Sequence, residues 1–134
     1  SNITDEEYEK IVAAALAIDE IIEREAAKNG LIHVDGKKEF ALGTNREVVL
    51  VDTFGTLDED RWWDAEAYAN GECIELSKEF VRSHYIETGH QAALDKARDA
   101  GTEEPPIPAL PQSVIDETAA LYASMYERLT SLDF

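Results

Sequence analysis

Cysteine occurs once in this chain, at Cys73. A disulfide within the chain and a thiolate metal cage both need several cysteines, so neither is available, and a reducing cytoplasm fits that usage. No Lys or Arg stands within four residues of Cys73 to activate its thiolate, which argues against a nucleophile there. Basic residues are scarce as well: 12 Lys and Arg face 29 Asp and Glu, a formal net charge of −17. Such a surface repels a polyphosphate backbone, so nucleic acid is excluded as a partner. Acidity of this kind is compatible with solubility alone, yet it makes each basic residue near a candidate site informative. A nucleotide or a sugar phosphate has to be met by those few side chains or by Mg²⁺. Long apolar runs are also missing: nothing approaches the roughly 20 residues that span a bilayer, and no basic-then-apolar leader is present. A cytoplasmic protein with no membrane partner is expected. The chain opens Ser1-Asn2 without Met, as a piece cut from a longer protein would. Proline is confined to four positions between Pro105 and Pro111.

What is present is enough for one core: 134 residues, 44% of them hydrophobic, with two Trp, five Tyr and four Phe. One α+β domain over residues 1–134 is the expectation. The segment Ile3 to Gly30 carries a full set of helix signals. Thr4 and Glu7 form a capping box, Ile3 and Tyr8 are spaced for a hydrophobic staple, and acidic residues fill the first turn. Tyr8, Ile11, Val12, Ala15, Leu16, Ile18 and Ile22 make an apolar stripe, and Asn29-Gly30 supplies a left-handed stop. Leu31 to Asp35, Lys37 to Leu42 and Val48 to Asp52 read as extended, with Gly43 to Arg46 as a turn between the last two. Thr53 to Trp63 lacks a sustained period and reads as a loop anchored by aromatics. Ser77 can cap a helix through Phe80, Val81 and Tyr85, Gln91 to Ala100 can form another after Gly89, and PPIPALP has to be an extended strap. Val114, Thr118, Leu121, Tyr122, Met125, Leu129 and Leu132 mark a long closing helix.

The chemistry-bearing residues cluster on the hairpin. A turn of two or four residues would set Glu39 opposite Leu50 and Lys37 opposite Asp52, so that Lys37, Glu39 and Asp52 share one face. A three-residue loop would flip the register and separate them. Two carboxylates on adjacent strands beside a lysine suit a Mg-nucleotide site, because Mg²⁺ takes carboxylate, phosphate and water oxygens. The spacing alone is equally compatible with solvent-facing strand residues. His33, His84 and His90 lack zinc-site spacing and read as packing or surface residues, and Trp62-Trp63 reads as a core plug.

Four boxes in order resemble the SAICAR synthetase family, and together they span nearly the whole chain. The run GLIHVDGKKEFALG (30–43) is similar to the family's glycine, buried strand and Asp-x-Lys-x-Glu-Phe. LVDTFGTLDEDRWW (50–63) resembles its Val-Asp-Glu followed by Thr-Pro-Asp-Ser-Ser-Arg-Phe-Trp, and SKEFVR (77–82) its Asp-Lys-Gln-Phe-Leu-Arg. The run 105–130 is similar to its proline strap and closing helix.

The resemblance implies the C-terminal lobe of an ATP-grasp-like fold, in which nucleotide sits between two β-rich lobes. Glu39 and Asp52 match the two acidic Mg²⁺ ligands; Lys37 and Asp52 would carry catalysis; Lys37 and Arg61 match basic residues near the phosphorylated substrate; and Asp58, counted with them as substrate-binding, matches an acidic residue that organises its turn. Asp35 would support the first turn, while Lys78 and Arg82 match the third box without an assigned contact. The implied reaction is ATP-dependent ligation of L-aspartate to carboxyaminoimidazole ribotide (CAIR), through an acyl phosphate, in purine biosynthesis. The family's N-terminal half, with its glycine-rich nucleotide loop, has no counterpart in this sequence, so the chain alone is expected to be inactive. A rival of another class is a non-catalytic acidic interaction or dimerisation module, and apolar faces that the absent half would cover make a homo-oligomer conceivable. The chain departs from the pattern at Lys38 (an aromatic), Thr53 (Glu), Leu57 (Pro) and Glu59-Asp60 (two Ser). Two added negative charges beside Arg61 are expected to disfavour anion binding there.

Overall fold

The computed structural model describes residues 3–134, so the Ser1-Asn2 opening lies outside the described residues. The chain, read above as one domain, groups into two compact units, Ser1–Ile74 and Glu75–Phe134. In the first, α1 (Asp5–Lys28) is followed by β1 (Leu31–Gly36), β2 (Glu39–Leu42), β3 (Val48–Val51), β4 (Asp60–Asp64) and α2 (Ala65–Ala69). The second holds α3 (Glu79–Glu87), α4 (His90–Ala100) and α5 (Gln112–Thr130).

The capping box opens α1 as its sequence dictates: the Glu7 N–H donates to Thr4 Oγ1 at 3.3 Å and the Thr4 N–H to Glu7 Oε2 at 2.8 Å. Gly30, at φ 67°, closes the helix in the left-handed region. Ile11, Ala15, Ile18, Asp19, Ile22 and Ala26 turn inward, whereas Tyr8, Val12 and Leu16 stay exposed, as does Ile3. The apolar stripe is therefore narrower than the sequence pattern, and no buried staple forms at the helix start. α1 packs on β1, and Leu31, Trp62 and Ala26 are almost wholly buried there.

The strands form two antiparallel pairs, β1 with β4 and β2 with β3. The second pair is the expected hairpin; the first corrects the reading of Thr53 to Trp63 as loop. β4 alternates in its own way, with Asp60 and Trp62 buried and Arg61 exposed. A charged residue at an inward position hides the period-2 signal. β1 carries a bulge between His33 and Asp35: His33 faces Trp62, but Asp35 faces Arg61 and Gly36 faces Asp60. The extra residue turns Asp35 outward, where regular alternation would have sent it to the side of His33.

The hairpin register also differs from expectation. Glu39 stands opposite Val51 and Phe40 opposite Leu50, where a two- or four-residue turn would have put Glu39 opposite Leu50. The cause is the turn. The Gly43 N–H donates to the Glu47 carbonyl at 2.8 Å and the Arg46 N–H to the Gly43 carbonyl at 2.9 Å, closing the three-residue loop Thr44–Arg46. Such loops end on a left-handed residue, usually glycine, and here it is Arg46 at φ 63°.

Arg46 lands its guanidinium on Glu7, with Nε and Nη2 each 2.6 Å from a carboxylate oxygen, and so ties the hairpin tip to the start of α1. That guanidinium, aided by the Thr4 N–H, holds the Glu7 carboxyl down to about 2 from an ordinary 4.5. A carboxylate depressed in the folded state stabilises fully above its unfolded value and loses that contribution as acid protonates it. Wild type is therefore expected to lose more melting temperature than Glu7→Gln between pH 4.5 and pH 2, with the difference gone below pH 2. Thermal melts of both proteins across that range check it; parallel curves would show that the pair contributes nothing.

In the second unit the expected helices are present; in the first, α2 is an addition that the sequence pattern did not announce. The N-cap of α3 is Lys78, without a capping side chain, and Ser77, expected there, sits one residue earlier, its Oγ accepting from the Glu79 N–H at 3.2 Å. Residues 101–111, with all four prolines, form no regular element, and the Tyr85 hydroxyl donates to the Pro108 carbonyl at 2.9 Å, fastening the strap to α3. Met125 is the buried centre of α5. The helix stops at Ser131 (φ 58°), so Leu132, expected on its apolar stripe, is exposed instead.

Candidate functional site

Lys37 lies in the two-residue link between β1 and β2, and three carboxylates surround its ammonium. Nζ stands 2.6 Å from Glu39 Oε1, 3.7 Å from Glu59 Oε2 and 3.9 Å from Asp52 Oδ2. Glu39 above all, then the charges of Glu59 and Asp52, raises the Lys37 pKa, so the ammonium persists at neutral pH.

With the observed register, a regular β3 would have carried Asp52 to the face opposite Glu39. It does not, because β3 ends at Val51 and Asp52 adopts φ 68°. The left-handed turn swings the carboxylate back toward Lys37, and the Thr53 N–H donates to Asp52 Oδ1 at 2.8 Å to fix it. Asp tolerates this conformation better than most residues because its short side chain bonds locally. The grouping of Lys37, Glu39 and Asp52 inferred from sequence thus exists, by a different route from the one inferred. Glu59 joins it, a residue that stood out in the sequence only as a departure from the family pattern.

Asp35 and Arg61 are cross-strand partners beside this cluster. Arg61 Nε donates to Asp35 Oδ1 at 2.8 Å, and Nη2 contacts Oδ2, a two-pronged hold in which the guanidinium depresses the Asp35 pKa. Both side chains are about half exposed. Asp58 is exposed in the loop before β4. Lys78 and Arg82 belong to the second unit, where they line an open cleft of ≈520 Å³ with Tyr85 and Arg98, and Arg82 pairs with Glu79.

Beneath the exposed cluster lies a buried one. Asp60 Oδ2 is 2.6 Å from His33 Nε2 and 3.5 Å from Lys38 Nζ, while Oδ1 accepts from the Gly55 N–H at 3.1 Å. Lys38 Nζ also meets Asp19 Oδ1 of α1 at 2.6 Å, by charge rather than through a well-directed hydrogen bond. The Lys38 and Asp60 side chains are 4% and 0% exposed. This corrects the expectation that both Glu59 and Asp60 add charge beside Arg61. Asp60 points inward, and the two departures at Lys38 and Asp60 neutralise each other. His33 is a buried partner in the same group, tilted against Trp62 with ring centroids 4.9 Å apart. Trp62, 1% exposed, is the core plug.

The exposed cluster is chemically a place for positive charge. Its carboxylates are hard oxygen donors suited to a divalent cation, and the ammonium among them marks where positive charge is already favoured. Among the described residues no three His, Cys, Asp or Glu side chains converge into a self-sufficient metal cage. A cation held by Glu39 and Asp52 would therefore complete its shell with phosphate and water oxygens, as Mg²⁺ in nucleotide sites does. Lys37 and Arg61 are the cations of this face, the first engaged by Glu39, Glu59 and Asp52 and the second by Asp35. No helix among the described residues is long and apolar enough to cross a membrane.

Known proteins resemble this chain along nearly its whole length. The chain is 52% identical over 130 residues to the phosphoribosylaminoimidazole-succinocarboxamide synthase of Thermoplasma acidophilum, covering 97% of this chain and 44% of that protein. A solved SAICAR synthetase in complex with ADP superposes with TM-score 0.64 at 27% identity, over 98% of this chain and 41% of the other. The Saccharomyces cerevisiae SAICAR synthase complexed with SAICAR shares the fold, with TM-score 0.70 at 24% identity over 94% of this chain and 39% of the other. The chain thus spans less than half the length of the relatives it matches. Residues 1–98 match the family model described as SAICAR synthetase, and this α+β chain belongs to that family.

Proposed function

We propose that the chain is the C-terminal domain of an ATP-dependent ligase that joins L-aspartate to CAIR, forming SAICAR. The N-terminal nucleotide-binding half would come from the remaining length that the relatives possess. The observation that carries this reading is the set Lys37, Glu39 and Asp52, grouped around one ammonium in a member of this family. ADP in one related structure and SAICAR in another support the choice of nucleotide and product.

In this reading a CAIR carboxylate oxygen attacks the γ-phosphorus of ATP and ADP leaves, giving an acyl phosphate; the aspartate amine then attacks the acyl carbon, phosphate leaves, and the nitrogen gives up a proton as the amide forms. Glu39 and Asp52 are the residues that would hold Mg²⁺, and the ion would offset negative charge on the phosphoryl group. Lys37 moves between its carboxylate partners and the anionic substrate; its half-exposed, unbranched stem permits the swing. Asp35 grips the Arg61 guanidinium through Nε and Nη2 and so fixes its plane beside the cluster. Half an interlobe cleft cannot enclose ATP, so this chain alone should not turn over.

The test is ADP release by the full-length enzyme. Turnover should require ATP, CAIR, L-aspartate and Mg²⁺ together, and residues 1–134 alone should give none. ADP formation by the full-length enzyme that ignores aspartate or CAIR would overturn the reading.

A further inference from the structure

The ladder between β1 and β4 ends at Gly36 opposite Asp60. Past that point the backbone holds the two segments together through a single long contact, the Lys37 N–H to the Glu59 carbonyl at 3.4 Å. The exposed cluster sits just there. Lys37 and Glu39 face out on one segment and Glu59 and Arg61 on the other, while the residues between them, Lys38 and Asp60, face in and meet at 3.5 Å.

We propose that the buried Lys38–Asp60 ion pair is a positioning device, which clamps the β1–β2 link to β4 where the ladder stops and so sets Lys37 and Glu39 against Glu59 and Arg61. Burying two charges is costly, and a well-packed neutral pair of similar volume is often as stable or more so. Charge here is therefore poorly explained by stability, and it is well explained by geometry: His33 at 2.6 Å and the Gly55 N–H at 3.1 Å fix the Asp60 carboxylate, and the Lys38 ammonium 3.5 Å away is drawn to that fixed point. The surroundings agree. The Asp60 carboxylate lies over Gly36 so closely that a Cβ on Gly36 would come within 2.3 Å of it, and Lys38 Nζ reaches the Gly36 carbonyl at 3.4 Å. Asp60 is held from two further sides by His33 and the Gly55 N–H, and Lys38 from a third by Asp19 of α1, so the clamp is anchored outside the segments it joins. Lys38 and Asp60 act through Lys37 and Glu39 and are not themselves catalytic, since neither side chain is open to substrate.

The catalytic half of this inference rests on the ligase reading; the structural half does not, and the experiment separates them. In the full-length enzyme the double variant Lys38→Met, Asp60→Asn is neutral and close in shape, and Asn can still accept from the Gly55 N–H. Its melting temperature should stay near that of wild type. Amide hydrogen exchange at Lys37 should nonetheless accelerate about tenfold or more, with the β1–β4 ladder amides unchanged. kcat should fall at least about tenfold, and half-saturation by Mg²⁺ should move upward, because small displacements at a reacting site are expensive. Wild-type exchange at Lys37 in the folded double variant overturns the clamp. Faster exchange with unchanged kcat and Mg²⁺ dependence confines the pair to architecture and overturns its positioning role. Faster exchange in an enzyme whose wild type makes no SAICAR leaves the clamp standing and sinks the ligase reading instead. Should the double variant fail to fold, Lys38→Gln, which keeps a donor for Asp60, is measured in the same three ways, and each outcome then supports or overturns the clamp as before.

Discussion

Replacing Asp60 with alanine should destabilise the protein by about 3–5 kcal/mol, the cost of breaking a buried ion pair from one side. Three groups lose a contact at once: the Lys38 ammonium at 3.5 Å, His33 Nε2 at 2.6 Å and the Gly55 N–H at 3.1 Å. Lys38 would keep Asp19 Oδ1 at 2.6 Å, so the loss falls chiefly on His33 and the Gly55 N–H and the lower end of that range is expected. A side chain that is 0% exposed leaves no room for water to replace the missing carboxylate without rearrangement. The melting temperature should fall by on the order of 10 °C or more. Asp60→Asn should cost less, since its amide oxygen can still accept from the Gly55 N–H. Asp35→Ala makes the control. It removes a carboxylate of the same type from an ion pair with Arg61 that is half exposed, and such pairs are worth about 0–1 kcal/mol. Equal melting temperatures for Asp60→Ala and Asp35→Ala would show that the inward group is not what holds this unit together.

The contrast between those two carboxylates explains how much of this molecule was legible from its letters. α1 could be read because its signals are local: Thr4 and Glu7 cap it, Asn29-Gly30 ends it, and none of this needs a distant partner. The same holds for the proline strap and for α3, α4 and α5. β4 could not be read, because Asp60 occupies an inward position where an apolar residue would have announced a strand. Charged residues are so seldom fully buried that each alone is assigned to the surface. Only the partner 22 positions earlier, Lys38, makes Asp60 intelligible, and that pairing exists in the fold. The hairpin register failed for a related reason. A left-handed position in a three-residue loop is normally advertised by glycine, and this loop places Arg46 there, secured by Glu7 from 39 residues away.

The grouping of Lys37, Glu39 and Asp52 outlived the wrong register through a second left-handed residue, Asp52, and that residue carries the largest functional prediction. Asp52→Asn in the full-length enzyme should lower kcat by about 100- to 1,000-fold, the usual effect of removing one preorganised electrostatic contact from a transition state. The substitution is chosen for what it leaves alone. Asn tolerates φ near 68° as Asp does, and its amide oxygen can still accept from the Thr53 N–H, so the turn that aims this side chain should persist. Charge is what changes. Lys37 loses its weakest carboxylate contact, at 3.9 Å, and keeps Glu39 at 2.6 Å, so the ammonium should stay in place and the loss should fall on the divalent cation. A raised Mg²⁺ requirement together with a near-normal melting temperature is the expected pattern. Asp52→Ala would confuse the matter, because a positive φ strains alanine by about 1–3 kcal/mol and would disturb the turn along with the charge. Turnover close to wild type in Asp52→Asn would mean that the carboxylate holds no metal, and the convergence of Asp52 on Glu39 would then be a feature of the turn alone.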